Sequence, residues 1–171
     1  MANRHVVFSH GSKSGPRSTK ITALAETART EGYEVTAVDY MGIDTPKERL
    51  SMLCDGCKDL RGDIVLVGSS LGGYVSLAAA SLLHAKAVFL MAPAIYSPGL
   101  PPLRDGAVDC PVAIVHGWHD DVVPYEDSIR FARERGASLH LLNTDHRMHD
   151  QLPFIRHLFE YFIISIDLGL S

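Results

Sequence analysis

The sequence predicts a doubly wound α/β protein with a mostly parallel six-stranded sheet and helices on both faces. Six short apolar runs rich in β-branched residues alternate with helical patterns, and such alternation favours a parallel sheet. The runs at 6–8 and 64–67 show no polar alternation, which is typical of strands covered on both faces. We therefore expect a single α/β domain over residues 1–171, a length that suits one domain.

The strands and helices are placed by their apolar periodicity and by their end signals. The predicted strands are residues 4–9, 34–40, 63–68, 87–91, 112–116 and 138–143. The first helix has an apolar face at 21–28 and ends near Gly32, and a Thr-Pro-Lys-Glu capping box at 45–48 begins the second. The other predicted helices cover about 71–84, 125–135 and the broad apolar face at 155–166.

Composition and charge argue against several classes of protein. With 16 basic and 20 acidic residues the net charge is −4, which is unlike a dedicated binder of nucleic acid or of an anionic membrane. No apolar run of roughly eighteen residues or more occurs, so the sequence predicts no membrane span. The first residues lack a signal-peptide pattern, and the three cysteines form no even framework. We therefore expect a cytoplasmic protein.

The third predicted strand leads directly into a Gly-x-Ser-x-Gly motif at residues 68–72, and an alanine-rich helical pattern follows. In this context the motif forms a nucleophile elbow, which holds the serine on a strained turn with its hydroxyl exposed. Gly68 and Gly72 suit so tight a turn because a side chain at either position would crowd the strand against the helix. The motif predicts Ser70 as a nucleophile.

A serine nucleophile needs a base and an acid, and candidates for both follow later strands. The fifth predicted strand is followed by Asp120 and Asp121, and the sixth by His146 and His149. Serine, then carboxylate, then histidine is one of the known chain orders of a catalytic triad. All these candidates come just after the carboxyl end of a predicted strand, so we expect them at one edge of the sheet.

Four motifs span nearly the whole chain. They are His10-Gly11, the elbow at Ser70, a His-Gly-x-x-Asp-x-x-Val-Pro run at 116–124, and Asp145-His146. Together they resemble the motifs of a small α/β-hydrolase without a lid, similar to the compact bacterial serine esterases of that superfamily. The segment between the fourth and fifth strands is short and proline-rich, so we expect a minimal α/β-hydrolase fold with an open cleft.

The resemblance implies a role for several residues and an order for the strands. Ser70, Asp120 and His146 would form the catalytic triad, and the backbone N–H groups of Ser12 and Leu71 would form the oxyanion hole. With right-handed crossovers, the resemblance also implies the strand order 2-1-3-4-5-6. The topological switch then falls between strands one and three, beside His10-Gly11 and the elbow.

Two alternatives concern the acid and the base. Asp121 stands next to Asp120, and His149 lies in the same predicted loop as His146. Motif spacing favours Asp120 and His146, while Asp121 and His149 would be solvated or capping residues. The remaining histidines of the motifs are expected to shape loops.

A different class of protein, a dithiol redox protein, is also an alternative, because Cys54 and Cys57 have C-x-x-C spacing. A thioredoxin-like pair should open a helix directly after a strand, whereas this pair falls inside a helical pattern. The histidine pairs three residues apart lie in predicted loops without the helical scaffold of a zinc motif. We therefore expect no metal and no cofactor.

The sequence thus favours a serine hydrolase that cleaves small or short-chain carboxylic esters through an acyl-enzyme intermediate. A thioesterase or an amidase would use the same residues, and a non-catalytic α/β-hydrolase scaffold is the alternative from another class. The expected partner is a small-molecule ester substrate and not nucleic acid. A homodimer would be compatible with the exposed apolar surface of a lidless fold.

Overall fold

The computed structural model describes residues 3–170 and contains one sheet of six strands. They are β1 (Arg4–Ser9), β2 (Glu34–Val38), β3 (Asp63–Ser69), β4 (Ala87–Met91), β5 (Val112–Gly117) and β6 (Ser138–Leu142). Every neighbouring pair is parallel, and the order is β2-β1-β3-β4-β5-β6. The predicted fold class and strand order are confirmed.

Five helices cover the two faces of the sheet. They are α1 (Thr19–Thr30), α2 (Pro46–Cys57), α3 (Leu71–Ala79), α4 (Tyr125–Arg135) and α5 (Leu152–Asp167). Helices α1 and α5 pack together on one face, and α2, α3 and α4 lie on the other. Within residues 3–170 no helix combines the length and the apolar character that crossing a membrane would need.

The apolar runs without polar alternation are explained by two separate hydrophobic cores. In β3, Val65 and Val67 belong to the core under α1 and α5, whereas Ile64 and Leu66 belong to the core under α2 and α3. Both sets of side chains are therefore buried, since successive residues of a strand point to opposite faces. The central strand is therefore packed on both faces, which fixes the position of the residues that follow it.

Strand β2 and helix α3 end earlier than predicted, while β3, β5 and β6 end within one residue of their predicted ends. Strand β2 ends at Val38 rather than at residue 40, because the Tyr40 N–H donates to His10 Nε2 (2.8 Å) and so leaves the ladder. Helix α3 ends at Ala79 rather than near residue 84. A left-handed His84 (φ 49°) lies in the turns that follow.

The loops after β1, β3, β5 and β6 all leave the same edge of the sheet, where the carboxyl ends of parallel strands meet. The order changes direction between β1 and β3, which makes the crevice beside their ends the expected ligand site of an open α/β sheet. Residues 92–110, between β4 and β5, form no helix. The crevice therefore has no helical lid over it from this segment.

Candidate active site

Ser70 lies on a strained turn between β3 and α3. Its backbone has φ 53° and ψ −121°, a conformation that costs a non-glycine residue about 1–3 kcal/mol. The Ser70 N–H donates to Met91 O (3.1 Å), and the Ser70 carbonyl accepts from Ala94 (3.0 Å) and Gly73 (2.9 Å). These three bonds hold the serine in the conformation of a nucleophile elbow.

The two glycines of the motif allow β3, α3 and β1 to approach one another closely. A Cβ on Gly68 would lie 2.4 Å from the carbonyl oxygen of Gly72. A Cβ on Gly72 would lie 2.0 Å from the carbonyl oxygen of Ser9, at the end of β1. The Gly-x-Ser-x-Gly spacing is therefore a packing requirement of this turn.

Asp120 is held by four hydrogen bonds in the loop after β5. One carboxylate oxygen accepts from the backbone N–H groups of Val122 and Val123 (2.8 Å each), and the other accepts from His116 Nε2 (3.0 Å) and His146 Nδ1 (2.7 Å). Burial by itself would raise the pKa of this carboxyl. The bonds from the two histidines and the backbone outweigh burial and hold the pKa of Asp120 well below its ordinary value.

His116 donates a hydrogen bond to Asp120 from the end of β5, and the sequence did not predict this contact. Its ring is fully buried at the end of β5, and Nε2 is bonded to Asp120 and also lies 3.1 Å from Val123 O. Because both partners are acceptors, Nε2 carries the proton, and Nδ1 accepts from the Ser128 hydroxyl of α4 (2.7 Å). The only sequence signal for this contact was the four-residue spacing of His116 and Asp120.

His146 reaches Asp120 because the loops after β5 and β6 are tightly joined. A Cβ on Gly117 would lie 2.3 Å from Thr144 O, and the His119 N–H donates to that same oxygen (3.1 Å). The Asp145 carboxylate accepts from two following backbone N–H groups and so shapes the turn around His146. His146 Nδ1 donates to Asp120, which leaves its Nε2 as an acceptor.

The structure brings together the predicted acid and base and leaves their alternatives apart. Asp121 and His149 are exposed, and neither bonds to the buried carboxylate of Asp120. Ser70 follows β3, which β4 separates from β5, and among the described residues no hydrogen bond joins its hydroxyl to His146. Such a bond commonly tightens only when substrate is bound.

The loop after β1 meets Ser70 directly. A Cβ on Gly11 would lie 3.3 Å from Ser70 Cβ, and the Gly11 N–H donates to Ser14 Oγ (3.1 Å). Among the described residues the backbone N–H groups of Ser12 and Leu71 have no hydrogen-bond acceptor. Leu71 begins α3, so its N–H also lies at the partially positive end of a helix.

A buried arginine holds this first loop in place. Arg49 of α2 is 1% exposed, and its guanidinium donates to His10 O (2.9 Å) and Ile43 O (2.6 Å) and lies over the Tyr40 ring. Burial lowers the pKa of Arg49, but an arginine stays charged in proteins. His10 Nε2 accepts from Tyr40, so its Nδ1 donates to Gly11 O (2.7 Å). These contacts fix the chain immediately before Ser12.

We expect Arg49→Met to destabilise the fold by about 1–3 kcal/mol, because the buried His10 carbonyl and the partly buried Ile43 carbonyl lose their donor. The loss is partly offset, since the variant no longer buries a charge. Urea unfolding of wild type and variant measures the difference. The matched control is Arg61→Met, because Arg61 is exposed and bonds only to nearby carbonyls. Equal unfolding midpoints for the two variants would contradict the buried role of Arg49.

The cysteine pair does not have the properties of a redox centre. Cys54 and Cys57 lie in the last turns of α2, and both thiols are free. Burial raises the pKa of Cys57 to about 11 and also raises that of Cys54, whereas reactive cysteines have a lowered pKa. No group of three or more His, Cys, Asp or Glu side chains within residues 3–170 is arranged to hold a metal ion.

A strained serine after a parallel strand, with a histidine–carboxylate pair after two later strands, defines an α/β-hydrolase. The model of the uncharacterised protein family UPF0227 matches residues 5–100, more than half of the chain. A crystal structure from Xanthomonas campestris pv. campestris, of a protein assigned to the α/β-hydrolase superfamily, is 32% identical with a TM-score of 0.88. The match covers 96% of this chain and 99% of that one. This protein belongs to the UPF0227 family and to the α/β-hydrolase superfamily.

Two more distant structures share the fold. Est1E from Butyrivibrio proteoclasticus is 22% identical with a TM-score of 0.81, and the match covers 98% of this chain and 89% of that one. A serine hydrolase without a lid from Xanthomonas campestris is 20% identical with a TM-score of 0.74, and the match covers 94% and 81% of the two chains. No curated protein sequence matches this chain significantly.

Proposed function

We propose that this protein is a serine hydrolase that cleaves small carboxylic esters. Ser70 is the nucleophile, His146 the general base and Asp120 the carboxylate that orients the base. The observation that carries the proposal is the 2.7 Å hydrogen bond between His146 Nδ1 and Asp120, at the same sheet edge as the strained Ser70. This bond keeps the proton on Nδ1 and leaves Nε2 free to accept the Ser70 proton, as a triad requires.

The chemistry takes place in two half-reactions. Ser70 Oγ attacks the ester carbonyl carbon while His146 Nε2 takes the hydroxyl proton, which His146 then gives to the departing alcohol. The acyl group stays on Ser70 Oγ. A water molecule, deprotonated by His146, then attacks this acyl group and releases the carboxylic acid, and the proton returns to Ser70.

The free N–H groups of Ser12 and Leu71 would hold the negative oxygen of each tetrahedral intermediate. Neither has a protein acceptor among the described residues, and Leu71 adds the partial positive charge of the α3 N-terminus. Removing one such donor typically costs about 3 kcal/mol of transition-state stabilisation. The segment 92–110 adds no helical cover, which supports small substrates that enter from solution. A cytoplasmic location and a homodimer stay predictions from the sequence.

A fluorophosphonate probe tests the proposal because it reacts only with an activated serine. We expect the purified wild-type protein to be labelled and Ser70→Ala to remain unlabelled, since no other serine within residues 3–170 has a positive φ. Ser51→Ala is the matched control, because Ser51 is exposed on α2 and should leave labelling unchanged. A folded wild type that resists labelling would instead favour a non-catalytic scaffold.

A further inference from the structure

A separate cavity lies between the first half of α2, helix α3 and the chain after β4. Its volume is about 270 Å³, and its apolar walls include Leu50, Ala78 and Leu103. None of the three proposed triad residues lines it. The volume is nearly twice that of a cavity of roughly 150 Å³ that holds benzene. The space is therefore large enough for a small organic molecule.

One wall carries a buried tyrosine whose hydroxyl has no hydrogen-bond partner among the described residues. Tyr74 of α3 lines the cavity and is only 6% exposed. The hydroxyls of Tyr33, Tyr40 and Tyr96 each bond to a side chain, but among the described residues that of Tyr74 bonds to none. Burial raises the pKa of Tyr74, so the hydroxyl keeps its proton and can donate to a ligand.

The rim of the cavity is positively charged. Lys47 and Arg104 line the opening from α2 and from the chain after β4, and both are exposed. Neither forms an ion pair with another described residue. The nearest acidic neighbour of Lys47 along α2, Glu48, is bonded to Thr45. The two cations are therefore available to an anionic group.

We propose that this cavity binds a small apolar molecule that carries one anionic group, such as a medium-chain carboxylate. The anionic group accepts a hydrogen bond from Tyr74 and is neutralised by Lys47 and Arg104. The apolar part packs against Leu50, Ala78 and Leu103. Binding needs no reaction at Ser70, so this site stands apart from the proposed hydrolase chemistry.

Calorimetric titration with octanoate tests the site, with thermal melting as a check that every variant is folded. We expect millimolar binding to the wild type and about tenfold weaker binding to Tyr74→Phe, because a hydrogen bond to a charged group is lost. Tyr74→Phe removes a hydroxyl without a protein partner, so its stability should not fall. Ala78→Leu fills the cavity and should abolish binding. Tyr161→Phe, on the exposed side of α5, is the matched control and should bind octanoate normally.

Uncharged octanol separates the anionic site from a merely apolar one. The double variant Lys47→Gln with Arg104→Gln should lose affinity for octanoate but keep its affinity for octanol. No binding of octanoate to folded wild type, or equal binding to wild type, Tyr74→Phe and Ala78→Leu, overturns the proposal. Protection of Ser70 from the fluorophosphonate probe by octanoate that persists in Tyr74→Phe and Ala78→Leu would place octanoate at the triad and overturn the separate site. Binding without protection would identify a separate ligand. Only this last comparison rests on the proposed function.

Discussion

Asp120→Asn is expected to lower kcat for ester hydrolysis by about 10⁴-fold, because the amide cannot hold His146 in the tautomer that a base requires. The carboxylate accepts both from His146 Nδ1 and from His116 Nε2 through one oxygen. An amide nitrogen placed there would face two N–H groups, and an amide oxygen there would turn the nitrogen toward two backbone donors. Steady-state hydrolysis of a chromogenic acetate ester measures the loss.

The control for this experiment is the neighbouring residue. Asp121 is exposed and forms no hydrogen bond with either histidine, so Asp121→Asn should keep kcat within a factor of about two. If Asp121→Asn loses activity while Asp120→Asn keeps it, the assignment of the acid is wrong. Near-ultraviolet circular dichroism establishes that both variants are folded before their rates are compared.

The same substitution has a second readout in the pH dependence of stability. Burial opposes ionisation of Asp120, but the hydrogen bonds outweigh it, so its folded-state pKa lies below the ordinary value. Such a group stabilises the fold above its unfolded pKa of about 4, and the stabilisation is lost as pH falls toward the folded pKa. The free energy of unfolding of Asp120→Asn should therefore fall less steeply than that of wild type as the pH is lowered from about 5 to 3.

The strands and their order were predictable because the signals were local. Runs such as 64–67 contain only apolar residues since both faces of β3 are covered, and the handedness of the crossovers leaves few possible orders. The end of β2 was not predictable, because Tyr40 leaves the ladder to bond to His10, thirty positions earlier in the chain. A contact of that range has no signature in the pattern around residue 40.

The candidate site was predictable to the extent that its residues follow strands. Asp120 and His146 each come just after a strand, and the structure joins them by a hydrogen bond. The hydrogen bonds that hold Asp120 from the side of α4 were not predicted. Ser128 lies on α4, and nothing in the sequence around it indicates a hydrogen bond to His116. Arg49 was missed because a charged residue in an amphipathic helix is normally exposed. The available signal was that Arg49 lies four residues before the buried Leu53, and therefore on the same face of α2.

The second large effect is expected from Gly72→Ala, which should destabilise the fold by more than about 4 kcal/mol. A methyl group at this position would lie 2.0 Å from the carbonyl oxygen of Ser9 and 2.7 Å from that of His10. Both are backbone atoms at the end of β1, so neither can move aside without shifting the strand. At this chain length the loss corresponds to a fall in Tm of about 8–16 °C, which differential scanning calorimetry measures.

Gly56→Ala is the matched control, because Gly56 is in α2 and a methyl group there would make an ordinary 3.7 Å contact with Val38. We expect this variant to be more stable than wild type by about 0.5–1 kcal/mol, the usual gain from replacing glycine inside a helix. A Gly72→Ala protein with the same Tm as wild type would mean that α3 does not approach β1 so closely. The close approach of α3 to β1 is also what brings Ser70 beside the loop of Gly11. The relative position of the proposed nucleophile and the Ser12 N–H therefore depends on the absence of a side chain at Gly72.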